Sequence, residues 1–186
     1  MNFKHVLILV FSVVCMVSCT NDSENLTVVK SFIKARNNFD AAKLASMADE
    51  NYKETFRNDF VEVKNRAELL RNLEWAKELS SSTTIEKVVS ENDSIIILIE
   101  KSSNYIDVAF KRKLRSFKTT YYLKDKKILK QKYDFAPGET NNNKANEKLY
   151  GDFERYCKVN NISYSWNPTK KDGIILRKAL EKYANR

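Results

Sequence analysis

The sequence predicts an α+β protein in which helices precede and follow an antiparallel sheet. Three observations carry this. Apolar residues recur at helical spacing over about 24–48 and again over about 65–79, and from about 80 to 136 the period changes to two. After a turn-rich break at 137–143, Pro137-Gly138-Glu139-Thr140-Asn141-Asn142-Asn143, helical spacing returns.

Taken in order, Leu26, Val29, Phe32 and Ile33 set one face of a first helix from about Glu24 to Phe39, with Asp22 or Ser23 as its N-cap. Asp40 caps a second, shorter helix whose face is Ala41, Leu44, Ala45, Met47 and Ala48. Tyr52-Lys53-Glu54-Thr55-Phe56 alternates as a strand does, Asn58-Asp59 turns, and Phe60-Val61-Glu62-Val63 returns. Asn65 with Glu68 three residues on is a capping-box pattern. The helix it opens carries Leu69, Leu70, Leu73, Ala76 and Leu79, with Trp75 at the edge of the stripe.

Strands are then expected at 83–91, 94–102, 106–118 running on to 123 past a bend, and 127–135, with turns near Asn92, Ser103 and Asp125. Residues two apart share a face. Leu129, Gln131, Tyr133 and Phe135 therefore go to the apolar side of the last strand and Lys130, Lys132 and Asp134 to the other; in its neighbour Phe117, Thr119, Tyr121 and Leu123 oppose Lys118, Thr120 and Tyr122. The run Ile95-Ile96-Ile97-Leu98-Ile99 is apolar on both faces and needs cover on both. Either the C-terminal helices or a second subunit supplies it. Those helices carry Leu149, Phe153, Tyr156 and Cys157, then Ile175, Leu176, Ala179, Leu180 and Tyr183 after Asn167-Pro168. Residues 144–186 are too few for an independent core, so they are expected to pack back on the sheet.

The 186 residues, 42% hydrophobic and 11% aromatic, supply one folded unit with an appendage: a main domain at 24–136, a linker at 137–143 and a helical extension at 144–186. The net charge is +9, with the excess concentrated between Lys111 and Lys132. Such a surface attracts nucleic acid, anionic membrane or acidic ligands, and the plainer reading is a solvated outer face of the sheet. Cys157 is the one cysteine beyond the first two dozen residues, which excludes a disulfide framework, and its place on an apolar helical stripe marks it as a core residue. Three glycines leave no phosphate-binding loop, and no Cys or His spacing suits a metal, so no cofactor is expected.

At the N-terminus, Lys4 and His5 lead into the apolar Val6-Leu7-Ile8-Leu9-Val10-Phe11, then Ser12 to Ser18, Cys19 and the polar Thr20-Asn21-Asp22-Ser23-Glu24. The run is shorter than the roughly 20 apolar residues of a membrane span. It resembles the export signal and lipobox of bacterial lipoproteins. Ser18 is the small residue before the cysteine, Met16 stands where Leu is usual, and Cys15, preceded by Val14, fits less well than Cys19. The resemblance implies a signal peptide at 1–18, a lipidated tether at 19–23 and membrane attachment through acyl chains on Cys19 in the bacterial cell envelope. Thr20 is not the Asp that signals inner-membrane retention in enterobacteria, so the outer membrane is the expected location. An exported, anchored protein meets little nucleic acid, and no nucleic-acid partner is expected.

The element order, together with Phe32-Ile33-Lys34-Ala35-Arg36-Asn37-Asn38-Phe39-Asp40 followed by Leu44-Ala45, resembles the nuclear transport factor 2-like superfamily in its SnoaL-like branch over about 24–136. The resemblance implies a sheet curved into an open-ended cone around the N-terminal helices, and a homodimer through the outer face of the sheet. Members include ketosteroid isomerases, dehydratases, polyketide cyclases and proteins with no chemistry, so the fold does not choose among them. Enzymes of this fold work with an acid or base inside the cone. With His5 in the leader, the mature chain has no histidine, which removes a His-dependent dyad.

Strand parity places Glu54 inside, between Tyr52 and Phe56, with Thr119, Tyr121, Gln131 and Tyr133. Trp75, Phe117 and Phe135 complete the expected cavity lining. Glu54 with Tyr121 and Tyr133 is the candidate catalytic set, because a carboxylate base beside hydroxyl donors suits an enolisation. The competing reading puts Glu54 at the rim or pairs it with Arg57, and makes the tyrosines core aromatics with satisfied hydroxyls. The expected function is a non-catalytic, membrane-anchored binding or interaction domain taking a small apolar or amphipathic ligand. The alternative is a small isomerase, dehydratase or cyclase using the cavity carboxylate and a tyrosine.

Overall fold

The computed structural model describes residues 22–139 and 143–186; the expected signal peptide, Cys19 and residues 140–142 of the linker lie outside the described residues. Helix α1 (Glu24–Asn37) begins where Ser23 accepts a hydrogen bond from the Leu26 N–H, and α2 (Ala41–Met47) where Asp40 accepts from the Lys43 N–H. Strands β1 (Ala48–Phe56) and β2 (Phe60–Val63) form the hairpin before α3 (Arg66–Glu78), where the Asn65 side chain accepts from the Glu68 N–H and the Glu68 carboxylate accepts from the Lys64 N–H. Strands β3 (Ser82–Glu91), β4 (Ile95–Ser103), β5 (Arg115–Lys124) and β6 (Lys127–Phe135) complete one curved six-stranded sheet in the order β2-β1-β6-β5-β4-β3.

Every pairing is antiparallel except β1 with β6, which is parallel and sets Glu54 opposite Gln131 and Phe56 opposite Tyr133. Against the inner face α1 buries Leu26, Val29, Phe32 and Ile33 with Tyr52, Ile96, Leu98, Tyr121 and Ile128, and α3 adds Leu69 and Leu73.

Three expectations are corrected. Residues 106–114 do not begin a strand. Ile106, Val108 and Phe110 alternate, but the Asn104 side chain accepts from the N–H groups of Ile106 and Asp107 while Asp107 accepts from the Asn104 N–H, and helix α4 (Tyr105–Ala109) forms instead. A reciprocal cap satisfies donors that a short alternating run leaves open. In the helix, Ile106, Ala109 and Phe110 share a buried side and Val108 faces solvent. Secondly, a bulge in β6 separates the pairs Tyr122–Lys130 and Leu123–Ile128, so Ile128 takes the core position expected for Leu129.

Thirdly, the C-terminal helices α5 (Asn143–Val159) and α6 (Lys170–Ala184) do not cover the sheet. They build a second core on α3 and α4, in which Leu79, Ile106 and Phe110 meet Phe153, Leu176 and Tyr183. The approach of α6 to α3 depends on Gly173, where an added Cβ would lie 3.1 Å from Glu78 Cβ and 3.2 Å from Trp75 Cδ1. A glycine in the first turn of α6 thus trades helix propensity for close packing on α3. On the outer face, Ile95, Ile97 and Ile99 of β4 stay half-buried beside Tyr122, Thr120 and Lys118 of β5.

Candidate functional site

Helical spacing places Arg36 one turn beyond Phe32, so the buried face of α1 ends in a guanidinium aimed at the sheet. Arg36 Nη1 lies 3.1 Å from Glu54 Oε1 and donates to Gln131 Oε1 at 3.0 Å. The Tyr52 hydroxyl lies 2.7 Å from the same Glu54 oxygen and 3.0 Å from Gln131 Oε1. Glu54 is therefore a buried partner of Arg36 and neither lies at a rim nor pairs with Arg57. Arg57 instead lies 3.5 Å from Asp134 and packs over the rings of Phe56 and Phe135.

A second carboxylate comes from β4. Glu100 continues the inward parity of Ile96 and Leu98, is 3% exposed, and accepts hydrogen bonds from the Tyr121 hydroxyl at 2.7 Å and the Thr119 hydroxyl at 2.8 Å. No cation pairs with it among the described residues. Burial pushes its carboxyl above the usual carboxylate range, with the two hydroxyl donors pulling the other way. Burial, then the nearby carboxylates, pushes the phenols of Tyr52 and Tyr121 well up, so both remain protonated donors. A third carboxylate, Glu62 on β2, is more exposed and accepts from the Tyr133 hydroxyl.

Apart from Tyr52, Arg57, Asp134 and Phe135, these groups line a cavity of about 320 Å³ between α1 and the sheet. Arg115 and Phe117 also line it, with the guanidinium 5.5 Å from the ring centroid; burial, then the nearby Arg112, lowers the proton affinity of Arg115. A second lobe of about 330 Å³ shares Arg36, Glu54, Glu62 and Tyr133 with the first and extends along α3 to Leu73, Trp75 and Pro168. The loop before α6 thus contributes a wall of the site.

Of the residues expected to line the cone, Glu54, Tyr121, Tyr133 and Gln131 come together in the first lobe, as do Phe56, Phe117 and Thr119. Tyr52 lies behind Glu54, fully buried, and Phe135 lies behind Phe117 and Phe56 with ring centroids 5.6 Å from each. Trp75 belongs to the second lobe and packs against the C-terminal helices. Sequence reasoning missed Arg36, Glu62, Glu100 and Arg115. Two carried a readable signal: Arg36 follows Phe32 by four residues, and Glu100 ends the inward series Ile96, Leu98. Glu62 sits beside an irregular register in the β1–β2 hairpin, where parity carries no information.

Chemically, Glu54 is held to a guanidinium, whereas Glu100 is held by two hydroxyls and burial raises its proton affinity. The raised folded-state affinity of Glu100 favours folding below its unfolded titration range, and that contribution is lost as pH rises through the folded value. Glu100→Gln carries no such penalty. Its stability relative to the parent is expected to rise from about pH 4, the unfolded range of Glu, toward neutrality. Urea unfolding at several pH values checks this, and a constant difference between the two proteins would contradict it.

No protein-family profile and no curated protein matches the chain in sequence. Among solved structures, a protein of unknown function with a cystatin-like fold from Methylobium petroleophilum is similar at a TM-score of 0.53 and 12% identity, covering 66% of this chain and 82% of that one. An LEH-like epoxide hydrolase of M. tuberculosis is similar at a TM-score of 0.51 and 9% identity, over 61% of this chain and 83% of that one. A putative ketosteroid isomerase from Kribbella flavida is similar at a TM-score of 0.50 and 8% identity, over 63% and 81%. At such identities the likeness establishes the fold alone: a curved sheet with helices before and after, of the cystatin-like kind.

Proposed function

We propose that the protein is a lipid-anchored envelope protein whose cone binds a small amphipathic molecule without transforming it. The observation that carries this is the state of the cavity carboxylates. Each already accepts from protein donors: Glu54 from Tyr52 and Arg36, Glu100 from Tyr121 and Thr119, Glu62 from Tyr133. Groups held this way form a fixed recognition surface, and each lobe reaches the lower end of the size range of small-molecule pockets, about 300–1,000 Å³. Non-denaturing mass spectrometry of protein purified from native membranes tests the reading. A bound small molecule is expected, and it is lost when Ser102→Trp fills the junction of the two lobes. Parent protein carrying nothing would defeat the proposal.

Anchoring rests on Ser18-Cys19 and the apolar run before them. Acyl chains contribute about 0.8 kcal/mol per buried CH₂, so Cys19→Ser is expected to move the protein to the soluble fraction; retention in the outer-membrane fraction would refute the lipobox reading. The half-buried isoleucines on the outer face of β4 are the surface proposed for pairing of two copies.

A second reading, a small isomerase, dehydratase or cyclase, is favoured by Glu100. It is a buried carboxyl of raised proton affinity beside a phenol, and ketosteroid isomerase and epoxide hydrolase names occur among proteins of this fold. In that reading Glu100 with Tyr121 moves the proton, and Glu54, engaged by Arg36, does not. Turnover that vanishes in Glu100→Gln while binding persists would establish it.

A further inference from the structure

We infer that the molecule held in the cone is an organic ammonium, an amphipathic amine whose cationic group sits against Glu100 and the rings of Phe117 and Tyr133. This rests on the reading of the cone as a binding site and names its ligand class. The chain as a whole is strongly basic, at +9, yet the cavity reverses the sign: Glu54, Glu62 and Glu100 line it against Arg36 and Arg115. Arg36 is neutralised by Glu54 at 3.1 Å. Arg115 stacks on Phe117 with no carboxylate at ion-pair distance among the described residues. Glu100 and Glu62 are left with neutral hydroxyl donors only.

A buried carboxylate served by hydroxyls alone keeps most of its desolvation penalty, which is the cause of the raised proton affinity of Glu100. A cation in the cavity would remove that penalty; an anion would add to it.

The walls supply the second half of the argument. Phe117 is the direct cross-strand neighbour of Glu100. Its ring centroid is 5.8 Å from that of Tyr133, which lies 5.3 Å from Phe56. Ring faces attract an ammonium within about 6 Å of the centroid, and Arg115 already exploits one such ring. Carboxylate and aromatic faces together match a cation carrying apolar substituents, and Leu73, Trp75 and Pro168 in the second lobe give those substituents room.

Three probes of one skeleton decide the matter: phenethylamine, phenethyl alcohol and phenylacetate, titrated calorimetrically near neutral pH into the full mature chain. The amine is expected to bind about tenfold or more tighter than the alcohol, the scale of a charge-assisted hydrogen bond, and phenylacetate not at all. Glu100→Gln should weaken the amine by a similar factor and the alcohol by clearly less, so that the gap between the two closes. Glu62→Gln, at the exposed edge where folding is not at stake, should weaken it a few-fold. Phenylacetate binding tightest would assign the cavity to anions through Arg115 and overturn the inference, as would equal binding of amine and alcohol; both outcomes leave the binding reading standing. Binding of none of the three also overturns it, and the mass-spectrometric experiment then judges the binding reading separately.

Discussion

Arg36→Ala is expected to destabilise the protein by about 3 kcal/mol, the lower end of the cost of orphaning one member of a buried ion pair. The lower end applies because the Arg36 side chain is 33% exposed while that of Glu54 is 6% exposed, so water can reach the site once the guanidinium is gone. Burial works against the charge on Arg36, but the Glu54 carboxylate beside it raises its proton affinity above the ordinary value, so the charge is held at any working pH. Removing it leaves Glu54 with the Tyr52 hydroxyl alone and frees one acceptor on Gln131. Replacing both partners, Arg36→Met with Glu54→Leu, should regain most of the loss, because Tyr52 keeps Gln131 at 3.0 Å. Urea unfolding of the parent, the single and the double variant measures this, and a double variant no more stable than the single one would show that the loss comes from packing and not from an unpaired charge.

Phe153→Ala is expected to cost about 3–5 kcal/mol, the range for truncating a buried phenylalanine. Phe153 is fully buried, and its ring centroid lies 5.1 Å from Tyr164, 5.4 Å from Tyr183 and 5.8 Å from both Phe110 and Trp166. The loss falls on the second core, which joins α5 and α6 to α3 and α4. Hydrogen exchange should therefore accelerate over 143–186 while amides of β4 and β5, which bind one another across the middle of the sheet, stay protected. Uniform acceleration in both regions would mean that the two cores open as one unit. Because Pro168 and Trp75 line the second lobe, the same variant should also loosen that wall of the cavity.

How much of this was legible beforehand differs from element to element. Ser23, Asp40 and Asn65 cap α1, α2 and α3, as short-range hydrogen bonding from these residue types dictates. Strands β3 and β6 fall within a residue of expectation, because alternation and turn residues are written locally. The stretch 106–114 deceived because Ile106, Val108 and Phe110 fit a period of two while Ile106, Ala109 and Phe110 fit a period of 3.6; a five-residue helix is too short for periodicity to arbitrate, and the Asn104–Asp107 cap decided. Leu129 deceived because one inserted residue inverts parity.

In the site, parity alone brought Glu54, Tyr121, Tyr133 and Gln131 to one face, but it was silent on their partners. What pairs with Glu54 depends on where α1 crosses the sheet and on the parallel register of β1 against β6, neither of which leaves a local trace. Arg36 and Arg57 lie 18 and 3 residues from Glu54 along the chain, and the nearer one goes elsewhere.

The sequence by itself determined the α+β class, most of the elements and the inward face of the long strands, since caps and periodicity act within a few residues. Only the tertiary structure decided which carboxylate is neutralised by an arginine and which is left to hydroxyls, and that the C-terminal helices build against α3 and α4 and not on the sheet. Ion pairing and core assembly are set by contacts between residues tens of positions apart, and those follow from register and packing that no local pattern records.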